Sequence, residues 1–179
     1  MEVVYALGSK ILELAGAAES EAAARQKMEQ CIACGAAKQK LAEFVAAQGG
    51  DASYVWDTDK FERAAYKIEV CAAQDGYVEG IEAKEIGTAC MMLGGGRETK
   101  EDVIDPAVGI YLLKKRGDFV KSGEPAALVF ANDKARGGAA VRQVFDAYRF
   151  GVKQPEPVPM IKAVIDGIAK TGGPQRICC

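Results

Sequence analysis

The clearest candidate for chemistry in this sequence is the glycine-rich segment Leu93-Gly94-Gly95-Gly96-Arg97. Consecutive glycines beside a basic residue are typical of phosphate-binding loops, because the backbone N–H groups can approach an anion closely. Here, however, the glycines follow a predicted helix, and the carboxyl end of a helix repels anions. A short helix beginning at Thr99, with Asp102 as its capping-box-like partner, would instead present N–H groups just after the loop.

Two roles for this loop follow from the pattern. In the first it is a structural turn, in which the glycines supply positive φ angles and Arg97 pairs with Asp102 or Asp105. In the second it lines a cleft in a larger assembled enzyme. The pattern favours the structural turn. The cleft-lining role is the one that would make the loop a functional site, so its residues are the candidates. They are Gly94, Gly95, Gly96 and Arg97.

Acid–base and metal chemistry find little support in the sequence. It contains no histidine, the commonest general acid–base and a common metal ligand. Carboxylates are plentiful after the glycine-rich loop, but no nucleophile or set of metal ligands accompanies them, and such charged loops are usually solvated. They are Glu98, Glu101, Asp102 and Asp105. We therefore predict no catalytic residue, no metal site and no cofactor for this chain.

Of the six cysteines, only the pair in Cys31-Ile-Ala-Cys34 has a spacing typical of metal or redox sites. The pair lies late in a predicted helix, whereas a reactive thiolate is stabilised at a helix N-terminus. A zinc site would need a second pair or carboxylates, and the adjacent Cys178 and Cys179 are poorly suited to that role. We predict reduced cysteines that pack as small buried hydrophobic residues, without a redox role.

A second glycine-containing segment, Gly117–Pro125, is similar in style to lipoyl and biotinyl carrier domains, and Asp133-Lys134-Ala135 matches a lipoyl-type attachment tripeptide. In carriers the modified lysine precedes the G-D-x-V turn, whereas Lys134 follows it and leads into a predicted helix. We therefore interpret both segments as turns. The two glycines of the first segment should bracket a β-hairpin connection with Val120 buried between them.

Length and charge narrow the possible classes of protein. The 179 residues can bury one ordinary core, or a small domain with an attached helical segment. The net charge is −2, and no basic block indicates a nucleic-acid partner. No apolar run approaches the roughly 18 to 20 residues that span a bilayer, and no secretion signal is evident. The sequence predicts a soluble, cytoplasmic protein with neither nucleic-acid nor membrane partners.

The first 50 residues predict three helices. The first, over residues 2–15, ends at Gly16, and the second begins after Ser20 and ends at Gly35. The third ends at Gly49-Gly50. The first helix carries an apolar stripe, which consists of Val3, Val4, Leu7, Ile11 and Leu14.

From residue 66 onward, the hydrophobic pattern predicts the order strand, strand, helix, strand, strand, helix. The predicted strands cover 66–70, 77–81, 108–113 and 126–130, and the predicted helices cover 83–93 and 139–148. The expected core consists of Tyr77, Val78, Ile86, Leu93, Ile110, Leu112, Val120, Leu128, Val144 and Phe145. An extended strap over 155–159, a short element over 160–168 and a loose tail from 171 should follow. The predicted fold class is α+β.

A series of motifs between Gly76 and Pro125 occurs in a characteristic order: G-Y-V, I-G-T-A, L-G-G-G-R, K-E-D-V-I-D, V-G-I and G-D-F-V-K-S-G-E-P. This order resembles the C-terminal domain of the pyrimidine-nucleoside and thymidine phosphorylases. The resemblance extends from Leu7-Gly8-Ser9 through 46–51 to 155–157. It implies that residues 1–64 are a helical segment belonging to an α/β body. Residues 65–154 would form an α/β-hammerhead domain, related to the barrel-sandwich hybrids, and 155–179 a proline-rich strap and tail.

The resembled enzymes cleave pyrimidine nucleosides with phosphate, giving the free base and a pentose 1-phosphate. Their phosphate clamp uses a Lys-x-Ser motif and a G-G-V-G-D segment, neither of which occurs here. The resemblance thus implies a C-terminal fragment that is inactive alone, with phosphate and nucleoside bound only by the full-length parent. A homodimer is expected, because the apolar stripe of the first helix needs a cover. The alternative is a free-standing binding or interaction module that reuses the hammerhead domain.

Overall fold

The computed structural model describes residues 1–165. They form two compact units: Met1–Ala37 with the described chain from Val158 onward, and Lys38–Pro157. The helices are α1 (Glu2–Leu14), α2 (Glu21–Ala33), α3 (Ala36–Ala47), α4 (Ser53–Trp56), α5 (Ala83–Cys90) and α6 (Lys134–Ala147). The strands are β1 (Tyr66–Cys71), β2 (Gly76–Ile81), β3 (Gly109–Leu112), β4 (Phe119–Val120), β5 (Pro125–Ala131) and β6 (Tyr148–Gly151).

The three N-terminal helices form as predicted. The Ser20 hydroxyl accepts a hydrogen bond from the Ala23 N–H at 3.3 Å and caps α2. The predicted end of α2 is confirmed by Gly35, whose φ of 81° is in the left-handed region. α1 packs against α2, but its apolar stripe does not face this contact, and Leu7 and Ile11 are 63% and 65% exposed.

The strands form two small antiparallel sheets, with orders β1–β5–β3 and β4–β2–β6. The central strand β5 is paired on both sides, and Ala127, Val129 and Ala131, which share one face of this strand, are fully buried. Helices α5 and α6 add Ala89, Ala140 and Val144 to the core of the second unit. Its buried members are Val70, Val78, Ala89, Leu93, Ala126, Ala127, Val129, Ala131, Ala140, Val144 and Tyr148. The α+β class is as the sequence predicts.

The structure corrects the predicted boundaries around α6. The helix begins at Lys134, and it ends at Ala147, so Tyr148 is the first residue of β6 and not the last of the helix. Phe145, predicted to face the core, is 39% exposed. Of the predicted element over 160–168, the described residues 160–165 contain no helix or strand, and the remainder lies outside the described residues together with the tail.

The segment between Gly117 and Gly123 also differs from the prediction. It contains the two-residue strand β4, which pairs with β2, and is therefore more than a simple hairpin connection. The predicted burial of Val120 is confirmed, since its side chain is fully buried. Lys134 is the first residue of α6 and does not lie at a hairpin tip, which is where the modified lysine of a carrier domain is found.

The buried phenol of Tyr148 connects β6 to the other sheet. Its oxygen lies 3.0 Å from the carbonyl oxygens of Lys114 and Ala126, so its one proton is shared between two acceptors. Burial raises the pKa of Tyr148 from 10.0 to about 12, and the Asp118 carboxylate contributes in the same direction. The folded chain therefore favours the neutral phenol.

We expect Tyr148→Phe to lower the free energy of unfolding at neutral pH by about 1 kcal/mol, because the phenol hydrogen bond is lost. The Ala126 carbonyl keeps the N–H groups of Leu113 and Lys114 as donors. In the wild type, the stability that comes from the raised pKa is complete below pH 10.0 and is lost as the pH approaches about 12. Urea unfolding across this pH range should therefore show a shallower alkaline decline for Tyr148→Phe. Tyr111→Phe is the control, since Tyr111 is exposed. An unchanged alkaline decline in Tyr148→Phe would contradict the assignment.

Candidate functional site

The glycine-rich loop begins as a continuation of α5. The helical backbone continues past Cys90 and is broken by a kink at Gly94, whose left-handed conformation is typical of the residue that ends a helix. Gly94 has a φ of 98°, which only glycine adopts readily. A Cβ at Gly95 would lie 2.8 Å from the Cys90 sulfur, so this position needs glycine for space. Gly96 is extended, with a φ of −150°, so only Gly94 has the predicted positive φ.

The residues after the glycines form a turn without a helix. The Asp102 carboxylate accepts hydrogen bonds from the backbone N–H groups of Glu98 at 2.9 Å and Thr99 at 2.8 Å. The Thr99 N–H is the main reason that the pKa of Asp102 is lowered, with the Glu98 N–H next. The capping interaction thus forms, but the predicted helix at Thr99 does not. Arg97 is exposed, and its predicted pairing with a carboxylate is not among the ion pairs of the described residues.

Asp105 fixes the end of the loop to the rest of the domain. Its backbone N–H donates to the Gly94 carbonyl at 2.9 Å, and its carboxylate accepts from the Asn132 amide at 2.7 Å. The Asn132 side-chain oxygen in turn accepts from the Ala65 N–H at 2.8 Å. Asp105 therefore connects the loop to the residue that follows β5 and has a structural role.

A cavity of about 420 Å³ lies beside the loop. Its lining residues are Met91, Met92, Gly94, Gly96, Glu98, Asp102, Val103 and Arg136. Of the four predicted site residues, Gly94 and Gly96 therefore border this cavity, whereas Gly95 and Arg97 are not among the described residues that line it. The cation at the cavity comes instead from Arg136, in the first turn of α6, where its backbone N–H donates to the N-cap Asp133 at 2.8 Å.

Sequence reasoning missed Arg136 and the two methionines. Nothing in the local pattern places Arg136 beside the loop, because the contact depends on how α6 packs after β5. The cavity combines one cation with the carboxylates of Glu98 and Asp102, which suits it to bind and orient a polar group. Within residues 1–165, no cluster of three or more histidine, cysteine or acidic side chains is arranged to hold a metal ion.

The cysteines differ from the prediction. Cys31, Cys34 and Cys71 are exposed, and Cys90 is half-buried, so the expectation of small buried hydrophobic residues is wrong for three of the four described thiols. All four are free. Separately, none of the helices in the described part of the chain is long and apolar enough to cross a membrane.

The fold and the loop define the class of protein: an α+β chain with N-terminal helices and a domain of two small antiparallel sheets around a glycine-rich turn. Comparison with known sequences agrees with this class. The family described as "Pyrimidine nucleoside phosphorylase C-terminal domain" matches residues 77–151, which extend from β2 to the end of β6.

Several relatives are pyrimidine-nucleoside phosphorylases. The protein from Bacillus subtilis (strain 168) is 44% identical over 156 residues, covering 87% of this chain and 36% of the relative. The Geobacillus stearothermophilus protein is 48% identical over 131 residues, covering 73% of this chain and 30% of the relative. The Staphylococcus epidermidis (strain RP62A) protein is 47% identical over 133 residues, covering 74% and 31% respectively. The chain spans about a third of the length of these relatives. It belongs to the pyrimidine-nucleoside phosphorylase family and corresponds to its C-terminal part.

Proposed function

We propose that this chain is the structural, non-catalytic C-terminal part of a pyrimidine-nucleoside phosphorylase, which converts a nucleoside and phosphate into a pyrimidine base and a pentose 1-phosphate. The observation that carries the proposal is the identity of 44% and 48% to two such enzymes over most of this chain but over only 36% and 30% of their length. The absence of histidine and of the family's phosphate-clamp motifs from the sequence supports a structural role. Phosphate and nucleoside are then ligands of the full-length parent.

The same proposal extends to the domains. Residues 1–64 would complete an α/β body, 65–154 would form an α/β-hammerhead domain, and 155–179 would be a strap and tail. The second range is supported by the family match at 77–151 and by the two antiparallel sheets that lie within it. A cytoplasmic location for the parent enzyme is part of the proposal.

We also propose that the loop Gly94–Arg97 lines a cleft of the assembled enzyme. Support comes from the cavity that Gly94 and Gly96 border, where the Arg136 guanidinium could orient a polar group. The hydrogen bond from the Asp105 N–H to the Gly94 carbonyl connects the two ends of this loop. The role proposed for these residues is to shape the cleft, and bond cleavage would depend on residues elsewhere in the parent enzyme.

A homodimer formed through α1 is the proposed assembly. The apolar stripe of α1 is exposed, and Val3 and Leu7 border an apolar groove of about 670 Å³ whose other side is formed by residues 160–164. Monomeric proteins rarely leave such a contiguous apolar surface in water. A two-fold pairing of helices is the simplest closed arrangement that would cover it.

We expect the purified chain to release no uracil from uridine and no thymine from thymidine above background in phosphate buffer. The reason is that no general acid–base or phosphate clamp of the family is present. Base release is measured by chromatography, with the Bacillus subtilis enzyme as the positive control. Release that rises in proportion to the chain's concentration, in material free of host phosphorylase, would contradict the prediction.

A mixing experiment separates the two hypotheses for function. The chain is added to the N-terminal part of the Geobacillus stearothermophilus relative, prepared without its own matching C-terminal segment. Restored phosphorolysis supports the C-terminal role. Stable folding of both parts without binding or activity would instead favour a free-standing interaction module.

A further inference from the structure

The pair Cys31 and Cys34 is a feature that the proposed function does not use. Both thiols are free and exposed at the carboxyl end of α2. The Cys34 N–H still donates to the Gln30 carbonyl at 2.9 Å, so both residues belong to the last helical turn before Gly35. The Cys34 sulfur lies 3.8 Å from the Cys31 carbonyl oxygen, which places this sulfur over the turn that carries the other thiol.

The helical spacing determines what the two sulfurs can bind together. Residues three apart on a helix have Cβ atoms about 5 to 6 Å apart. A disulfide requires about 3.5 to 4.5 Å between Cβ atoms, so oxidation of this pair would distort the end of α2. A metal ion between two thiolates spans a longer distance, because each metal–sulfur bond adds about 2.3 Å. The pair therefore fits a bridging ion better than a direct sulfur–sulfur bond.

The number of available ligands selects the kind of ion. A structural zinc site needs four ligands, but the sequence has no histidine, and residues 1–165 offer no third cysteine or carboxylate grouped with the pair. Monovalent copper is satisfied by two ligands and prefers soft thiolate sulfur. We propose that Cys31 and Cys34 together bind one Cu(I) ion. Each thiol releases its proton to solvent and each sulfur donates an electron pair to the ion, so that no group is oxidised or reduced.

The test is an anaerobic titration of the reduced full chain with Cu(I), in competition with a chromophoric copper chelator. We expect one tight site, with a thiolate-to-copper charge-transfer band in the ultraviolet. Cys31→Ser and Cys34→Ser should each raise the dissociation constant for Cu(I) by about 100-fold or more, because a single thiolate binds the ion without a second, linked ligand. The matched control is Cys71→Ser, which removes another exposed thiol and should leave the affinity unchanged.

One double variant removes the two C-terminal cysteines as an alternative source of thiolates. Cys178→Ser/Cys179→Ser should retain the tight site, and far-ultraviolet circular dichroism should show the same helix content in every variant. Loss of the tight site in Cys178→Ser/Cys179→Ser, or full affinity in both Cys31→Ser and Cys34→Ser, would overturn the assignment.

Discussion

Replacing Leu7 and Ile11 together by lysine is expected to convert the proposed homodimer into a monomer while the chain stays folded. Both side chains are largely exposed in the single chain, at 63% and 65%, so the substitutions disturb no core contact. Burying each such side chain in an interface contributes about 1.5 to 3 kcal/mol. Losing two of them from each protomer should raise the dimer dissociation constant by at least about 100-fold. Sedimentation equilibrium over the micromolar range measures this change directly.

The matched control for that experiment is Ile32→Lys. Ile32 lies on α2 in the same unit and is exposed to a similar degree, but it is not part of the α1 stripe. We expect this variant to remain dimeric. A wild-type chain that sediments as a monomer would refute the proposed dimer, and a dimer that survives in the Leu7→Lys/Ile11→Lys variant would show that another surface forms it.

The helices of the first 50 residues could be predicted because their signals are local. The Ser20 cap and the left-handed Gly35 are properties of a few adjacent residues, and both are formed as predicted. The exposed stripe of α1 was also evident from its spacing. Burial on α2 was not predictable in this way, because Ala24 is its one buried residue and the cysteines lie on exposed positions of the helix. Cysteine is usually a buried residue, and the prediction that Cys31 and Cys34 are buried was therefore wrong.

The two missed strands show where local pattern fails. β4 has only two residues, too few for any alternation to be visible. At the end of α6, the apolar positions Val141, Val144 and Tyr148 keep a helical spacing, although Tyr148 is buried as a strand residue. Its hydroxyl lies beside the carbonyl oxygens of two residues that are distant in sequence. These tertiary contacts, which the sequence does not display, determine where the helix ends.

The same reasoning applies to the candidate site. The glycine-rich segment was evident from composition, and its sharp turn is formed at Gly94. The basic residue at the cavity was predicted as Arg97, the next one along the chain, but it is Arg136. Only the packing of α6 after β5 brings that side chain to the loop, so its role depends on the fold and not on a motif.

Helix α6 lies very close to the sheet β1–β5–β3, and a larger residue at this contact should have the second large effect, which is on the free energy of unfolding. Gly137 is buried on the face of α6 that packs against β1 and β5. A Cβ there would lie 2.8 Å from the terminal methyl of Ile68 and 3.1 Å from the Cβ of Ala131. The Ile68 methyl can move, but Ala131 is held in a strand that is paired with β1. We expect Gly137→Leu to lower the free energy of unfolding by about 2 kcal/mol, because the added side chain overpacks this interface.

The neighbouring Gly138 provides a control with the opposite sign. A Cβ at Gly138 meets no atom within 4 Å, so Gly138→Leu adds no overlap at this point. Leucine also has a much higher helix propensity than glycine. We expect it to raise the free energy of unfolding by about 0.5 kcal/mol. Chemical denaturation measures both variants, and amide hydrogen exchange in β5 shows whether the change is located at the interface with α6. If Gly137→Leu is as stable as Gly138→Leu, then α6 does not approach the sheet as closely as Gly137 indicates, and the packing described for the second unit is wrong at this point.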